Sequence, residues 1–207
     1  MKTRFLAASA MTVLLSLSSL APRAMAQVAS AAPSAVKAGT YKVEPYHTQV
    51  EFSISHFGFS NFSGFFSGVS GSLTLDPANV GISKLDVSIP TQSVLTTVPV
   101  LNTQLQGAQW FDAAKYPDAT FVSTKVIKIS SSSAIIEGNL TLHGVTAPVT
   151  LRAHLVGSGV NPLDKSFTAG FDATGEIKRS TFGIKTYLPL LGDNVTLKIA
   201  GAFELQP

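Results

Sequence analysis

The chain has no cysteine, so neither a disulfide framework nor a thiolate metal site is open to it. No Gly-x-Ser-x-Gly elbow, His-Glu-x-x-His helix, phosphate loop or dinucleotide fingerprint occurs anywhere. The enzyme reading therefore starts without a nucleophile or a cofactor cradle. His47, His56, His143 and His154 are not paired at metal-ligand spacing with another His, Asp or Glu, and they read as hydrogen-bonding or surface residues. An excess of one charge is lacking too. Of 15 basic residues, Lys2, Arg4 and Arg23 fall in an N-terminal leader, and the twelve that remain balance the 12 acidic ones. The precursor's pI of about 9.2 therefore gives no case for nucleic acid or an anionic surface.

The one long apolar run, Phe5 to Leu20, follows Lys2 and Arg4 and precedes Ala24-Met25-Ala26. That order reads as a secretory signal peptide over residues 1–26. Serines at 9, 16, 18 and 19 break the run, which is short for a bilayer span. Without a cysteine after Ala26, a lipid-anchored lipoprotein is excluded. The mature chain is expected in the periplasm or secreted, with no transmembrane anchor. Residues 27–39, mostly Ala, Ser, Val and Pro, read as a flexible spacer. Residues 40–207 then form one domain, and a mature chain of about 180 residues is ample for one core.

From Thr40 the sequence is short alternating runs separated by Gly, Pro, Asn, Asp and Ser, which is an all-β pattern. Tyr41 with Val43, residues 71–76, Leu85 to Ile89, Thr120 to Ile129, Phe167 to Thr174, Gly183 to Leu188 and Val195 to Phe203 alternate as strands, with a turn at Leu191 to Asn194. Residues 133–142 and 147–156 flank His143-Gly144-Val145-Thr146 as a hairpin. Val100, Leu101, Leu105 and Ala108 fall at helical spacing and predict one short helix near residues 99–108, capping a barrel end or covering an open seam. About eight to ten antiparallel strands close as a barrel or stack as a sandwich, and barrels of about eight can hold one ligand.

The most informative stretch is His47 to Phe66, which holds six of the 13 Phe residues: Phe52, Phe57, Phe59, Phe62, Phe65 and Phe66. Val50, Phe52 and Ile54 alternate with Gln49, Glu51, Ser53 and Ser55, as in a half-buried strand with a wet outer face. The rings fill an ordinary core or line an apolar cavity, and composition does not decide between these. Arg179 has two possible roles. Its guanidinium could hold a phosphate or quinone head group, or it could pair with Glu176, Asp172 or Asp193, which is the plainer role.

Several pieces in order carry a family resemblance. They are Tyr46-His47-Thr48 through Phe52, His56 with Gly64-x-Phe66, Thr91, Trp110-Phe111-Asp112 with Tyr116-Pro117, and Phe121-x-Ser123. Further along come Gly138-x-Leu140-Thr141-Leu142-x-Gly144-Val145-Thr146, Arg179-Ser180-Thr181-Phe182-Gly183 and Leu191-Gly192-Asp193-x-Val195. Together they resemble the YceI-like family of exported polyisoprenoid-binding proteins.

The resemblance implies a single antiparallel, lipocalin-like barrel of about eight strands around an apolar pore for a polyprenyl chain, isoprenoid quinone or similar amphiphile. The ligand-binding residues expected on that basis are Phe52, Ile54, His56, Phe57, Phe59, Phe62, Phe66, Trp110, Phe111, Phe121, Phe171, Arg179 and Phe182. No cofactor is required and no metal is expected. The partner expected is a long-chain isoprenoid lipid, not nucleic acid, and a homodimer is left open. One departure stands out: where relatives tend to have an Arg-Asp-x-His-Leu-like helix start, this chain has Leu101-Asn102-Thr103-Gln104-Leu105. The rival readings are a secreted hydrolase acting on a lipid-like substrate and an outer-membrane barrel, whose apolar band would face outward. Stress protection and quinone supply follow from the likeness alone.

Overall fold

A computed structural model describes residues 28–207; the leader expected over residues 1–26 lies outside the described residues. Ten strands follow in chain order: β1 (Gly39–Val43), β2 (Gln49–His56), β3 (Ser60–Phe66), β4 (Ser70–Leu75), β5 (Lys84–Pro90), β6 (Asp118–Lys128), β7 (Ser133–Leu142), β8 (Val145–Val160), β9 (Phe167–Lys178) and β10 (Leu191–Leu205). One helix, α1 (Pro99–Gln106), lies between β5 and β6. It starts with Pro99 in its first turn, where the missing N–H is harmless.

Neighbouring strands are antiparallel in the order β1-β4-β5-β6-β7-β8-β9-β10, and β1 pairs with β10 to close a ring of eight. The remaining two strands form a hairpin on the same edge of β10. Residues 203–205 of β10 take β1, and residues 191–200 take β2, with β3 outside β2. Thr48 pins the changeover, because its Oγ1 accepts from the Ala202 N–H at 3.0 Å and donates back to the Ala202 carbonyl at 3.2 Å. Beyond the free edge of β3, Leu95 exchanges both backbone hydrogen bonds with Phe65. Leu95 therefore adds one bridge to that edge, and Leu101 and Leu105 of the helix that follows face the barrel interior.

Strand period decides which side chains face in. Val50, Phe52, Ile54 and His56 of β2 point inward; Glu51, on the outer face, meets its cross-strand partner Lys198 at 3.9 Å. Two packed clusters steady the wall. Phe121, Leu140, Leu151, Trp110, Phe182 and Ile184 anchor one near α1, and Tyr41, Val43, Leu73, Ala169 and Phe203 anchor the other where β1 closes the ring. The β7–β8 hairpin forms as expected but with a tighter turn of two residues: His143 and Gly144 both have positive φ, and Leu142 pairs directly with Val145.

Two expectations fail locally. Residues 183–188 are not a strand. They follow a 3-10 turn at Arg179–Phe182 and run as turns to Leu190, because Arg179 binds the carbonyls that a strand would give to a neighbour. Residues 191–194 are not a turn but the start of β10, whose register with β2 shifts between Leu191 and Val195. The stretch before β1 touches the barrel at one bridge. Ser30 exchanges backbone hydrogen bonds with Ser158 at 2.9 Å each. Gly157 and Gly159 leave room for it, since a Cβ on Gly157 would lie 3.1 Å from the Ala29 Cβ and one on Gly159 3.0 Å from the Val28 carbonyl.

Candidate functional site

The barrel encloses a tunnel of about 1180 Å³. Packed interiors leave few voids larger than a water molecule, so this is a built cavity and not a packing flaw. Its wall is the inward face of nearly every strand: Val126 on β6, Ile136 on β7, Leu151 on β8, Ala173 on β9 and Leu197 on β10 are typical. At one end it is lined by His56, Phe57, Ser60 and Tyr187, beside the β2–β3 tip. At the other are Pro33, Val36, Asp76, Lys128 and the Ser130–Ser133 tract.

Eleven of the thirteen residues singled out in the sequence reach this wall. Phe52, Ile54, His56, Phe57, Phe62 and Phe66 come from β2, β3 and their turn. Trp110 and Phe111 come from the loop after α1, Phe121 from β6, Phe171 from β9 and Arg179 from the turn that follows β9. Rings stack along the hairpin: Phe66 lies 5.6 Å from Phe52 and 5.2 Å from Phe111, tilted or edge-on. These rings line a void and do not fill it.

Two residues are elsewhere. Phe59 points into solvent, because the turn at Phe57-Gly58 breaks the alternation and throws the next ring outward. Phe182 is buried in the cluster beside α1, behind the lining, and its carbonyl oxygen lies 3.1 Å from Nδ1 of His143.

Arg179 takes neither expected role. It is 4 % exposed, and its guanidinium donates to four backbone carbonyls: Gly192 at 2.8 Å from Nε, Ile184 at 3.1 Å and Thr186 at 2.9 Å from Nη1, and Leu191 at 3.0 Å from Nη2. None of the acids offered as its partner, Glu176, Asp172 and Asp193, pairs with it among the described residues, and Asp193 accepts instead from the N–H of Ser180 at 2.9 Å and its hydroxyl at 2.7 Å. Burial lowers the Arg179 pKa below its ordinary value, and the nearby Asp193 charge opposes that shift. Burial pushes the Asp193 carboxyl up, but the two Ser180 hydrogen bonds and the charges of Arg179 and Lys178 outweigh it, so the pKa is lowered on balance. The guanidinium is therefore a clamp on residues 184–192. The Trp110 ring lies under it at 5.9 Å, and among the described residues the buried Trp110 Nε1 has no acceptor.

Thr91 on the wall and two histidines away from it are engaged as well. Thr91, fully buried, donates to the carbonyls of Tyr116 and Pro117 at 2.7 and 3.0 Å. His47 lies 2.8 Å from Glu44 and His154 lies 3.0 Å from Ser133, both through Nδ1. No group of three or more His, Cys, Asp or Glu residues suited to a metal occurs among the described residues. Sequence reasoning missed most of the wall on β7, β8 and β10. The signal was present in the alternation of Leu140 with Leu142, Val149 with Leu151 and Ala153, and Val195 with Leu197 and Ile199. It also missed the Ser130–Ser133 tract.

An eight-stranded antiparallel barrel around an apolar tunnel, with a further hairpin on one edge of β10 and one helix facing the interior, defines a class of ligand-enclosing barrels. The YceI-like domain model matches residues 41–203, and the chain belongs to the YceI-like family. A UPF0312 protein of Yersinia pestis is 42% identical over 162 residues, covering 77% of this chain and 83% of that one. Protein YceI of Escherichia coli is 42% identical over 165 residues, 79% of this chain and 85% of that one. Among solved structures, the Campylobacter jejuni YCEI protein aligns with a TM-score of 0.64 at 33% identity, covering 74% of this chain and 91% of that one. A polyisoprenoid binding domain from Saccharophagus degradans aligns with a TM-score of 0.61, covering 82% of this chain and 100% of that one; at 14% identity the likeness is one of fold.

Proposed function

We propose that this protein is a binding and carrier protein that holds a polyisoprenoid, an isoprenoid quinone or a similar long-chain amphiphile in its tunnel without catalysis. The observation that carries the reading is the tunnel itself, about 1180 Å³ and walled almost entirely by apolar side chains. Each buried methylene of a ligand is worth roughly 0.8 kcal/mol, so a long chain binds tightly with few polar contacts. The fold-level likeness to a domain described as polyisoprenoid binding points the same way. The leader expected at the N-terminus places the carrier outside the cytoplasm, in the periplasm or secreted. Polar residues on the outer face of β2 and apolar ones inside are the reverse of a membrane-spanning barrel.

Native mass spectrometry of the protein from its own cells, followed by denaturing mass measurement of what it releases, tests this. A discrete co-purified mass in the polyprenyl or quinone range is expected. An empty protein that also rejects added prenols and quinones sinks the proposal. Turnover of a lipid ester that disappears in a His56→Ala variant would favour the hydrolase instead.

A further inference from the structure

The β2–β3 turn and the loop before β10 meet at one mouth of the tunnel. The Phe57 N–H donates to the Leu190 carbonyl at 3.1 Å, and the Leu191 N–H donates to that of Tyr187 at 2.9 Å. Four large apolar side chains project from this junction: Phe57 is 45% exposed, Phe59 90%, Tyr187 56% and Leu190 59%. Two of them sit on backbone that aromatic residues rarely adopt, Phe57 at φ 53° and Tyr187 at φ 59°. Such positions for bulky residues are outliers that the surroundings must hold in place. Asn or Gly would sit there at less backbone cost, and each ring has one aromatic neighbour, His56 for Phe57 at 4.5 Å and Trp110 for Tyr187 at 6.2 Å, while much of its surface stays in solvent.

Charge is absent from the two loop tips themselves; the neighbouring loop, which meets them through Gln109 and Trp110, carries Asp112 and Lys115 further along. Residues 57–62 and 186–191 carry no Asp, Glu, Lys or Arg, and the cation that adjoins them is the exposed Lys185. The Asp193 carboxylate beyond is bound by Ser180. Phe57 and Tyr187 also line the tunnel, so the apolar rim and the apolar interior are one continuous surface.

We infer that this rim, Phe57, Phe59, Tyr187 and Leu190 with Lys185 beside it, docks on the surface of a lipid bilayer. Aromatic rings flanked by a cation, with no carboxylate on either loop tip, match the interfacial zone of an anionic membrane. A second copy fits less well. A stable dimer needs a broad complementary face of about 1,000 Å² or more, whereas four side chains on two loop tips give protrusions. Bilayer insertion asks only for protrusions. The inference rests on the carrier reading in one respect: a chain passing between bilayer and tunnel at this mouth avoids water.

The test is flotation of the protein, purified as the cell processes it, with vesicles of three parts phosphatidylethanolamine to one part phosphatidylglycerol. The wild type is expected to float with the vesicles. A Phe59→Ser, Leu190→Ser variant, altered at two positions off the tunnel wall, should partition about tenfold less while taking up a fluorescent prenol probe from solution as the wild type does. A Phe59→Trp variant gives a second reading, a blue-shifted emission on adding vesicles. Wild type that stays below the vesicles, a double variant that floats equally, or an unshifted emission overturns the inference. A concentration-dependent dimer abolished by the double variant, without flotation, assigns the rim to a second copy and overturns it too. Flotation without prenol uptake upholds the rim and sinks the carrier reading instead.

Discussion

Arg179 shows how far a residue's type is from its role. Its position before Ser180-Thr181-Phe182-Gly183 suggested a head-group anchor or a salt bridge, and nothing local revealed that four carbonyls up to 13 residues downstream would claim it. Hydrogen bonds to a charged donor are worth about 1.5–3 kcal/mol each, and the carbonyls left behind would lie partly buried. Arg179→Lys, with three donors on one atom, cannot reproduce the fork. We expect it to lower the unfolding free energy by about 3 kcal/mol, read as a drop in urea midpoint, while the ligand mass bound per folded protein stays the same. Loss of ligand without loss of stability would return Arg179 to the head-group role. Gly64 is a second residue whose importance is geometric. A Cβ there would lie 2.5 Å from the Phe52 ring and 2.9 Å from the Leu95 carbonyl. Gly64→Ala should therefore cost about 1–3 kcal/mol as overpacking, measured by thermal melts, unless the Phe52 ring swings into the tunnel and shortens the longest prenol taken up.

At the scale of elements, strand alternation was legible wherever pairing is local, and it failed where a distant group sets the backbone. Val50, Phe52 and Ile54 read correctly because period two fixes their face once one side is buried. Ile184, Thr186 and Leu188 alternate just as well, yet their segment is looped, because Arg179 takes the carbonyls of Ile184 and Thr186. The spacer before Gly39 has no period to read, and its docking depends on Gly157 and Gly159 far along the chain. The 3-10 turn after β9 gives a pH prediction. Asp193 holds Ser180 by two hydrogen bonds, and its pKa is lowered in the fold. A carboxylate with a lowered folded pKa adds stability above its unfolded value of about 4 and loses that share as pH falls through the folded value. Melting points of wild type and Asp193→Asn should therefore differ near neutrality and converge below about pH 4. A constant gap down to strong acid would rule the ionised carboxylate out as the cause.

For the molecule as a whole, the tunnel sets stability and function against each other. A barrel that filled its interior would gain apolar contacts, yet this one leaves the middle of its wall lined by small residues, with Ala153 and Ala173 paired across β8 and β9. An ordinary core and a built tunnel respond oppositely to added volume. In a packed core, Ala153→Leu would force neighbours off their rotamers and cost about 1–3 kcal/mol. In a tunnel of about 1180 Å³ the new side chain has space on the open side, and its burial is favourable by roughly 25 cal/mol per Å² of apolar area removed from water. We expect the ligand-free Ala153→Leu protein to be as stable as wild type or more so. The gain from ligand should shrink, because a partner that binds only the folded state at a hundredfold its Kd adds about 2.7 kcal/mol, and a narrowed bore weakens that binding. Urea unfolding of both proteins, with and without a long prenol, measures the two effects separately. A destabilised, ligand-free variant would show that the void closes in solution and that the rings of β2 and β3 are core after all.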